Sequence, residues 1–153
     1  MMKFIPLLVL GLLFSGCAHT TVSQADTNVE KELKSFIRGL VDDFNSQVPG
    51  AYASKFHFPH TRLKPKAIWF DDPSVPSVDY KKLKATGWDH SILNELEVLY
   101  STSNQGIVRL NFSRLTKEGK IILTTDAIYT LTKIDGQWGI ACMFSAANSL
   151  PLE

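Results

Sequence analysis

Residues 108–114 (VRLNFSR), 117–120 (KEGK) and 129–140 (YTLTKIDGQWGI) decide the fold. Apolar and polar residues alternate on both sides of Glu118-Gly119 and of Asp135-Gly136, and each pair puts glycine where a reversing chain needs a positive φ. Working outward from these turns gives four consecutive strands, over residues 91–102, 107–117, 120–133 and 137–146. A third turn, at Asn104-Gln105-Gly106, joins the first two.

Turn lengths fix which residues share a face, because a slip of one residue reverses every side chain. A two-residue loop at 118–119 sets Val108 opposite Tyr129, Leu110 opposite Ala127 and Phe112 opposite Thr125. A two-residue loop at 135–136 sets Leu131 opposite Ile140, Tyr129 opposite Cys142 and Ala127 opposite Phe144. A three-residue loop ending at Gly106 sets Tyr100 opposite Leu110 and Val98 opposite Phe112. These pairings join into one apolar face, expected to pack on an N-terminal helix. The other face holds Leu99, Ile107, Arg109, Ile122, Ile128 and Met143, with Glu97 and Asp126. So many large apolar groups on an open face predict an interface, and a homodimer is expected through them.

Val29, Leu33, Phe36, Ile37, Leu40, Val41 and Phe44 recur at helical spacing and predict an amphipathic helix over residues 28–46. Asn28 is its expected N-cap and Pro49-Gly50 its stop. Residues 51–56 predict a short second helix, 57–63 and 66–70 short strands about Pro65, 71–79 a loop, and 80–85 a short helix. At 153 residues, 44% hydrophobic and 10% aromatic, the chain suits one globular domain and excludes a disordered one. With 16 basic against 15 acidic side chains it lacks the basic excess of a nucleic-acid binder.

This order of elements resembles the NTF2-like (SnoaL-like) α+β cone over about residues 29–147. Residues 129–140 are similar to that family's closing hairpin, and Phe58-Pro59 stands where many members carry a Phe-Pro pair. The resemblance implies N-terminal helices packed on a strongly curved antiparallel sheet. It also implies a fold shared by isomerases, cyclases, dehydratases and non-catalytic binding or dimerising modules, so fold alone assigns no function.

The N-terminus carries an address. Lys3 precedes the apolar stretch 4–14 (FIPLLVLGLLF), which is too short to span a membrane as a helix. Leu13-Phe14-Ser15-Gly16-Cys17 resembles a bacterial lipobox, with Phe14 in place of the usual Leu. The resemblance implies a signal peptide over residues 1–16, lipidation of Cys17, and a tether over 17–28 that links acyl chains to the domain. The expected location is the bacterial cell envelope, held to a membrane by lipid. Ala18 rather than Asp after the cysteine implies the outer membrane in a Gram-negative host, with the domain periplasmic or at the surface. Residues 148–153 form a tail. Cys142 is then the remaining thiol, so no internal disulfide is expected.

In enzymatic members, the resemblance implies, a carboxylate or histidine base reaches into the cone. The expected inner face supplies a pocket of Tyr100, Phe112, Arg114, Tyr129, Trp138, Cys142 and Phe144, while Glu95, Glu97 and Asp126 fall on the other side. A ketosteroid-isomerase-like mechanism needs a carboxylate beside an oxyanion site, and no carboxylate stands inside. Non-catalytic binding of a small apolar or amphipathic molecule, or an assembly role, is therefore favoured over catalysis. The alternative is a small-molecule isomerase or hydrolase with His57 or His60 as base and Tyr129 or Tyr100 as donor. No metal or cofactor is expected, since His57 and His60 lack the spacing of a ligand pair on a helix. Cys142 reads as an inert small hydrophobe, Arg114 as a possible anion contact, and Lys55, Arg62, Lys64 and Lys66 as a solvated basic run. Trp69, Trp88 and Trp138 read as core or rim.

Overall fold

Five residues one helical turn apart, Val29, Leu33, Ile37, Leu40 and Phe44, are buried along one stripe of a 20-residue helix, α1 (Thr27–Ser46). The computed structural model that shows this describes residues 27–63, 67–73 and 78–145. The signal segment, Cys17, most of the tether and the tail 148–153 lie outside those residues. The helix begins one residue earlier than the sequence suggests, so Asn28 falls in its first turn rather than at its cap. It stops at Gln47, whose φ of 57° reverses the chain before Pro49 is reached.

Instead of a second helix, residues 51–56 give a single 3-10 turn (Ala53–Lys55) that feeds directly into β1 (Phe56–Leu63). Then come β2 (Ala67–Phe70) and α2 (Tyr80–Ala85), the latter capped by the Asp79 side chain, which accepts from the Lys82 amide. Four long strands follow, β3 (His90–Ser101), β4 (Gln105–Leu115), β5 (Ile121–Ile134) and β6 (Gln137–Ser145). They form one six-stranded sheet in the order β2-β1-β6-β5-β4-β3. The expectation of a wholly antiparallel sheet needs correction, because β1 runs parallel to β6 and the sheet is mixed.

The β4–β5 ladder has the expected register, with Val108 opposite Tyr129, Leu110 opposite Ala127 and Phe112 opposite Thr125. Asp135 and Gly136 both have positive φ, 50° and 80°, as a two-residue hairpin turn demands. Beyond that turn a bulge intervenes. Leu131 faces Ile140 but Thr130 faces Cys142, which leaves Ala141 as the extra residue. A bulge sets two residues against one and reverses the side chains that follow. Tyr129 therefore meets Met143, not Cys142, and Ile128 meets Phe144. Met143 is buried inside and Phe144 is exposed, the reverse of both expectations. On the other flank Tyr100 faces Ile107, not Leu110, and Val98 faces Val108, with Leu99 bulged between them. Tyr100 is consequently on the outer face and half exposed.

The concave face packs on α1 and buries Val108, Leu110, Ala127, Tyr129, Leu131, Ile140 and Met143. Contact is closest at Gly106, where a Cβ would stand 2.7 Å from both δ-methyls of Leu33. The last turn of the helix is tied to the sheet by side chains: Asn45 Nδ2 donates to the Ser91 carbonyl and its Oδ1 accepts from the Ser91 amide, both at 2.8 Å. The Tyr80 hydroxyl donates to the Phe44 carbonyl at 2.9 Å.

Candidate functional site

The Phe44 end of the helix lies over the Arg114 end of β4, and the interior is not filled there. A cavity of about 50 Å³ is lined by Leu40, Val41, Phe44, Tyr52, Ser91, Leu110, Phe112, Arg114 and Tyr129. A water needs roughly 10–15 Å³ of such space, so the cavity has room for a few waters or a group of carboxylate size. Its wall is mainly apolar. Its polar groups are the two phenols, the Ser91 hydroxyl and the Arg114 guanidinium. A second hollow, about 350 Å³, lies between the 47–53 turn and Pro73, Val78 and Tyr80, and Tyr52 lines both.

A chain of aromatic contacts runs from the cavity wall at Phe44 and Tyr52 to His60. Phe44 meets Trp88 at 5.4 Å and Tyr52 at 5.2 Å, Tyr52 meets Phe56 at 5.1 Å, and Phe56 meets His60 at 4.6 Å, each edge to face. Trp88 donates its Nε1 proton to Ser91 Oγ at 3.0 Å, which holds the hydroxyl at the cavity wall.

The charges inside are all of one sign. Arg62 is 2% exposed and Arg114 4%, and the buried polar residues of the described chain include no aspartate or glutamate. Arg114 lies over the Phe44 ring at 5.9 Å. Arg62 is flanked by Phe70 at 5.1 Å and Phe56 at 5.7 Å. Its Nε donates to His60 Nε2 at a long 3.4 Å, and its two terminal nitrogens have no hydrogen-bond partner among the described residues. Burial pushes both guanidinium pKa values down, and the phenols of Tyr52 and Tyr129 partly oppose this. Arginine stays charged regardless. A desolvated cation–π contact contributes about 2 kcal/mol, whereas burying an ion costs several. The rings offset part of that cost and leave the terminal donors of Arg62 without a partner among the described residues.

The remaining titratable groups are held neutral. Burial raises the pKa of Tyr52 and of Tyr129, so both remain protonated donors. Burial, then the Arg62 charge, push His60 down to about 4, with the backbone of Ala141 and Ile140 opposing. The imidazole is therefore neutral at pH 7, and accepting from Arg62 at Nε2 puts its proton on Nδ1.

Of the pocket expected from sequence, Phe112, Arg114 and Tyr129 come together. Tyr100 and Phe144 are exposed on the outer face, and Cys142 leaves the concave face with the Ala141 bulge, its thiol pKa raised by burial. Trp138 lies at the opposite end of α1, where it and Lys133 donate to Glu32 Oε2 at 2.8 and 2.7 Å. These bonds hold the Glu32 carboxyl below its usual pKa.

His57 and His60 are not brought together. His60 is inside, whereas the His57 ring lies flat on Gly139, where a Cβ would stand 2.4 Å away, and bonds Thr132 Oγ1 at 2.9 Å. Burial lowers the His57 pKa as well. Of the expected outer face, Leu99, Arg109, Ile122 and Ile128 are exposed and Ile107 is half buried, while Met143 has turned inward. Arg109 pairs with Glu97 at 2.9 Å, and Asn94, Asn111 and Asp126 form a polar ladder beside it. Trp69 is exposed on β2.

Arg62 and Tyr52 are the residues the sequence reading missed. Arg62 reads as part of a surface basic run. Yet it shares strand parity with Phe56, Phe58 and His60, and that alternation was the signal available.

A helix laid across a curved mixed sheet, with a cavity at one end, defines a class of ligand-sized α+β cones. The family model for NTF2-like protein (DUF6841) matches residues 29–148, and the chain belongs to that family. Among solved structures it is similar to an NTF2-like protein of unknown function from Pseudomonas putida, at TM-score 0.65 and 11% identity, covering 85% of this chain and 96% of that one. It is also similar to one from Shewanella oneidensis, at TM-score 0.62 and 13% identity, covering 76% and 98%. A protein of unknown function with a cystatin-like fold from Nostoc punctiforme matches at TM-score 0.62 and 9% identity, covering 84% and 98%. At these identities the likeness shows the fold alone. No curated protein matches the sequence.

Proposed function

We propose that this protein is a lipid-anchored envelope protein whose cone binds a small amphipathic molecule without transforming it. The observation that carries the reading is the cavity beside Arg114, Tyr129 and Ser91, apolar along most of its wall and polar at one point. Binding sites for small molecules combine such walls with a few convergent polar groups. Two features favour binding over catalysis. No carboxylate among the described residues lines the cavity, and His60, with a pKa near 4, is a weak base at neutral pH.

Native mass spectrometry of the protein purified gently from its host tests this. A retained small-molecule mass is expected, and Val41→Trp, which fills the cavity from the helix side, removes it. A mass that survives Val41→Trp, or turnover of a substrate that depends on His60, contradicts the reading.

The anchor and the dimer belong to the same proposal. Lipid on Cys17 holds the domain at the membrane, so Cys17→Ser releases it into the soluble fraction; persistence in membranes rejects the anchor. A homodimer forms through the outer face around Ile107 and Ile128, with exposed Phe144 in the place expected for Met143. Ile128→Asp yields a monomer by sedimentation, and an unchanged sedimentation coefficient rejects this interface.

A further inference from the structure

We infer that the end of the molecule formed by α2 and the β4–β5 turn docks on an anionic lipid surface, its lysines at the headgroup phosphates and Ile121 in the acyl boundary. The inference stands apart from the cavity and does not need lipid on Cys17.

Three observations converge. First, the fold gathers lysines at this end. The Asp89 amide donates to the Leu115 carbonyl at 2.8 Å, and a Cβ on Gly87 would stand 3.8 Å from Thr116 Cγ2. The end of α2 therefore abuts the turn that Lys117 opens and Lys120 closes. On α2 Leu83 is buried, whereas Lys81, Lys82 and Lys84 are exposed, as are Lys117 and Lys120.

Secondly, none of these lysines forms an ion pair among the described residues. Of the acids beside them, Asp79 caps α2, Asp89 bonds His90 at 3.0 Å, and Glu118 adds a single exposed charge. The positive charge here is thus local, in a chain with 16 basic against 15 acidic groups.

Thirdly, the strand that leaves the turn begins with Ile121, 57% exposed, and Ile122, 37% exposed. A soluble polyanion would satisfy the lysines and leave these side chains in water. A bilayer interface satisfies both, because lysine stems reach up to phosphates while an aliphatic group enters the acyl boundary.

Reach agrees. The Tyr80–Phe44 and Asn45–Ser91 bonds put the lysines at the far end of α1 from Thr27. That helix is about 30 Å long, and the stretch 17–26 extends at most about 33–36 Å. The lysine end can therefore meet the membrane that the proposed anchor occupies. Such docking is weak and reversible, so it orients a domain held by lipid rather than retaining one without it.

The test is co-sedimentation of the full chain carrying Cys17→Ser with vesicles of phosphatidylglycerol and phosphatidylcholine in equal parts, or of phosphatidylcholine alone. Binding is expected to the first, released by raised salt, and not to the second. Each lysine at an anionic surface strengthens binding about fivefold, so Lys117→Gln with Lys120→Gln weakens it about thirtyfold. Lys31→Gln with Arg38→Gln removes equal charge from the exposed side of α1 and leaves binding within about twofold. Ile121→Ser weakens it about fivefold. All these positions are exposed, so the variants are expected to melt with the parent chain. Equal binding to both vesicles, indifferent to Lys117 and Lys120, assigns the contact to the apolar stretch 4–14 and overturns the inference. Binding to neither overturns it too. An equal loss from the α1 pair makes the attraction one of net charge and overturns this end as the site. Loss on changing Lys117 and Lys120 but none on Ile121→Ser overturns the bilayer in favour of a soluble polyanion.

Discussion

At the Gly106 end of the interior, Leu33, Ile37, Val108, Leu131 and Ile140 are buried without remainder, and the helix touches the sheet so closely that Gly106 has no room for a Cβ. At the Arg114 end the same helix, with β3, β4, β5 and Tyr52, encloses an unfilled volume lined by one guanidinium, two phenols and a hydroxyl, and Arg62 and His60 of β1 are buried as well. The ends share α1, β4 and β5 and differ in their side chains and in the elements that close them. A filled apolar end needs no ligand to be stable. A cationic end with unmet donors is built against stability, and in folded proteins such departures mark function more often than economy of packing.

Three changes separate the ends, in decreasing order of effect. Leu33→Ala opens a hole in the filled end, and the expected loss of stability is about 2–5 kcal/mol by urea unfolding. Retention of a small-molecule mass by the folded fraction should be unaltered; its loss would mean that the two ends are coupled. Next comes His60. Its folded pKa, about 4, lies below the ordinary 6.5, so between those values the unfolded chain binds the extra proton. Its contribution is thus present above pH 6.5 and is lost as pH falls towards 4, on the order of 2–3 kcal/mol across the window. His60→Phe should flatten that part of the stability–pH curve, and an unchanged slope would place the titration elsewhere. Smallest is Ser91→Ala, which strips Trp88 Nε1 of its acceptor at the cavity wall. An unmet buried donor costs about 1–2 kcal/mol; no measurable change in unfolding midpoint would mean that the indole finds another acceptor.

The same contrast explains what could be seen in the sequence. The helix, the four long strands and the β4–β5 register follow from periodicity and from glycine turns whose geometry is local. The apolar end was legible because Val108, Leu131 and Ile140 keep the register expected from the Gly119 and Gly136 turns, although the first turn spans Lys117–Gly119 and a bulge at Ile122 restores that register. The errors begin at the bulges. Val98-Leu99-Tyr100 and Ala141-Cys142-Met143-Phe144 are unbroken apolar runs, so nothing in them marks which residue is the extra one. One extra residue in each sent Tyr100 and Phe144 outward and Met143 inward. Half of the candidate site, Phe112, Arg114 and Tyr129, lay on the strands without this ambiguity. The other half depends on β1, a short strand whose register against β6 shifts between Phe56 and Thr61, and which joins the sheet in parallel. That pairing spans most of the chain and has no turn to fix it. Arg62 and Tyr52 therefore reach the cavity end only through tertiary structure.

Backbone amide NMR of the labelled protein, compared with and without the small molecule it retains on gentle purification, tests the division of the interior most directly. The account predicts shifts concentrated at Ser91, Leu110, Phe112, Arg114 and Tyr129, with Leu33, Gly106, Leu131 and Ile140 unmoved. Shifts confined to the outer face, or spread evenly over both ends of the cone, would contradict it.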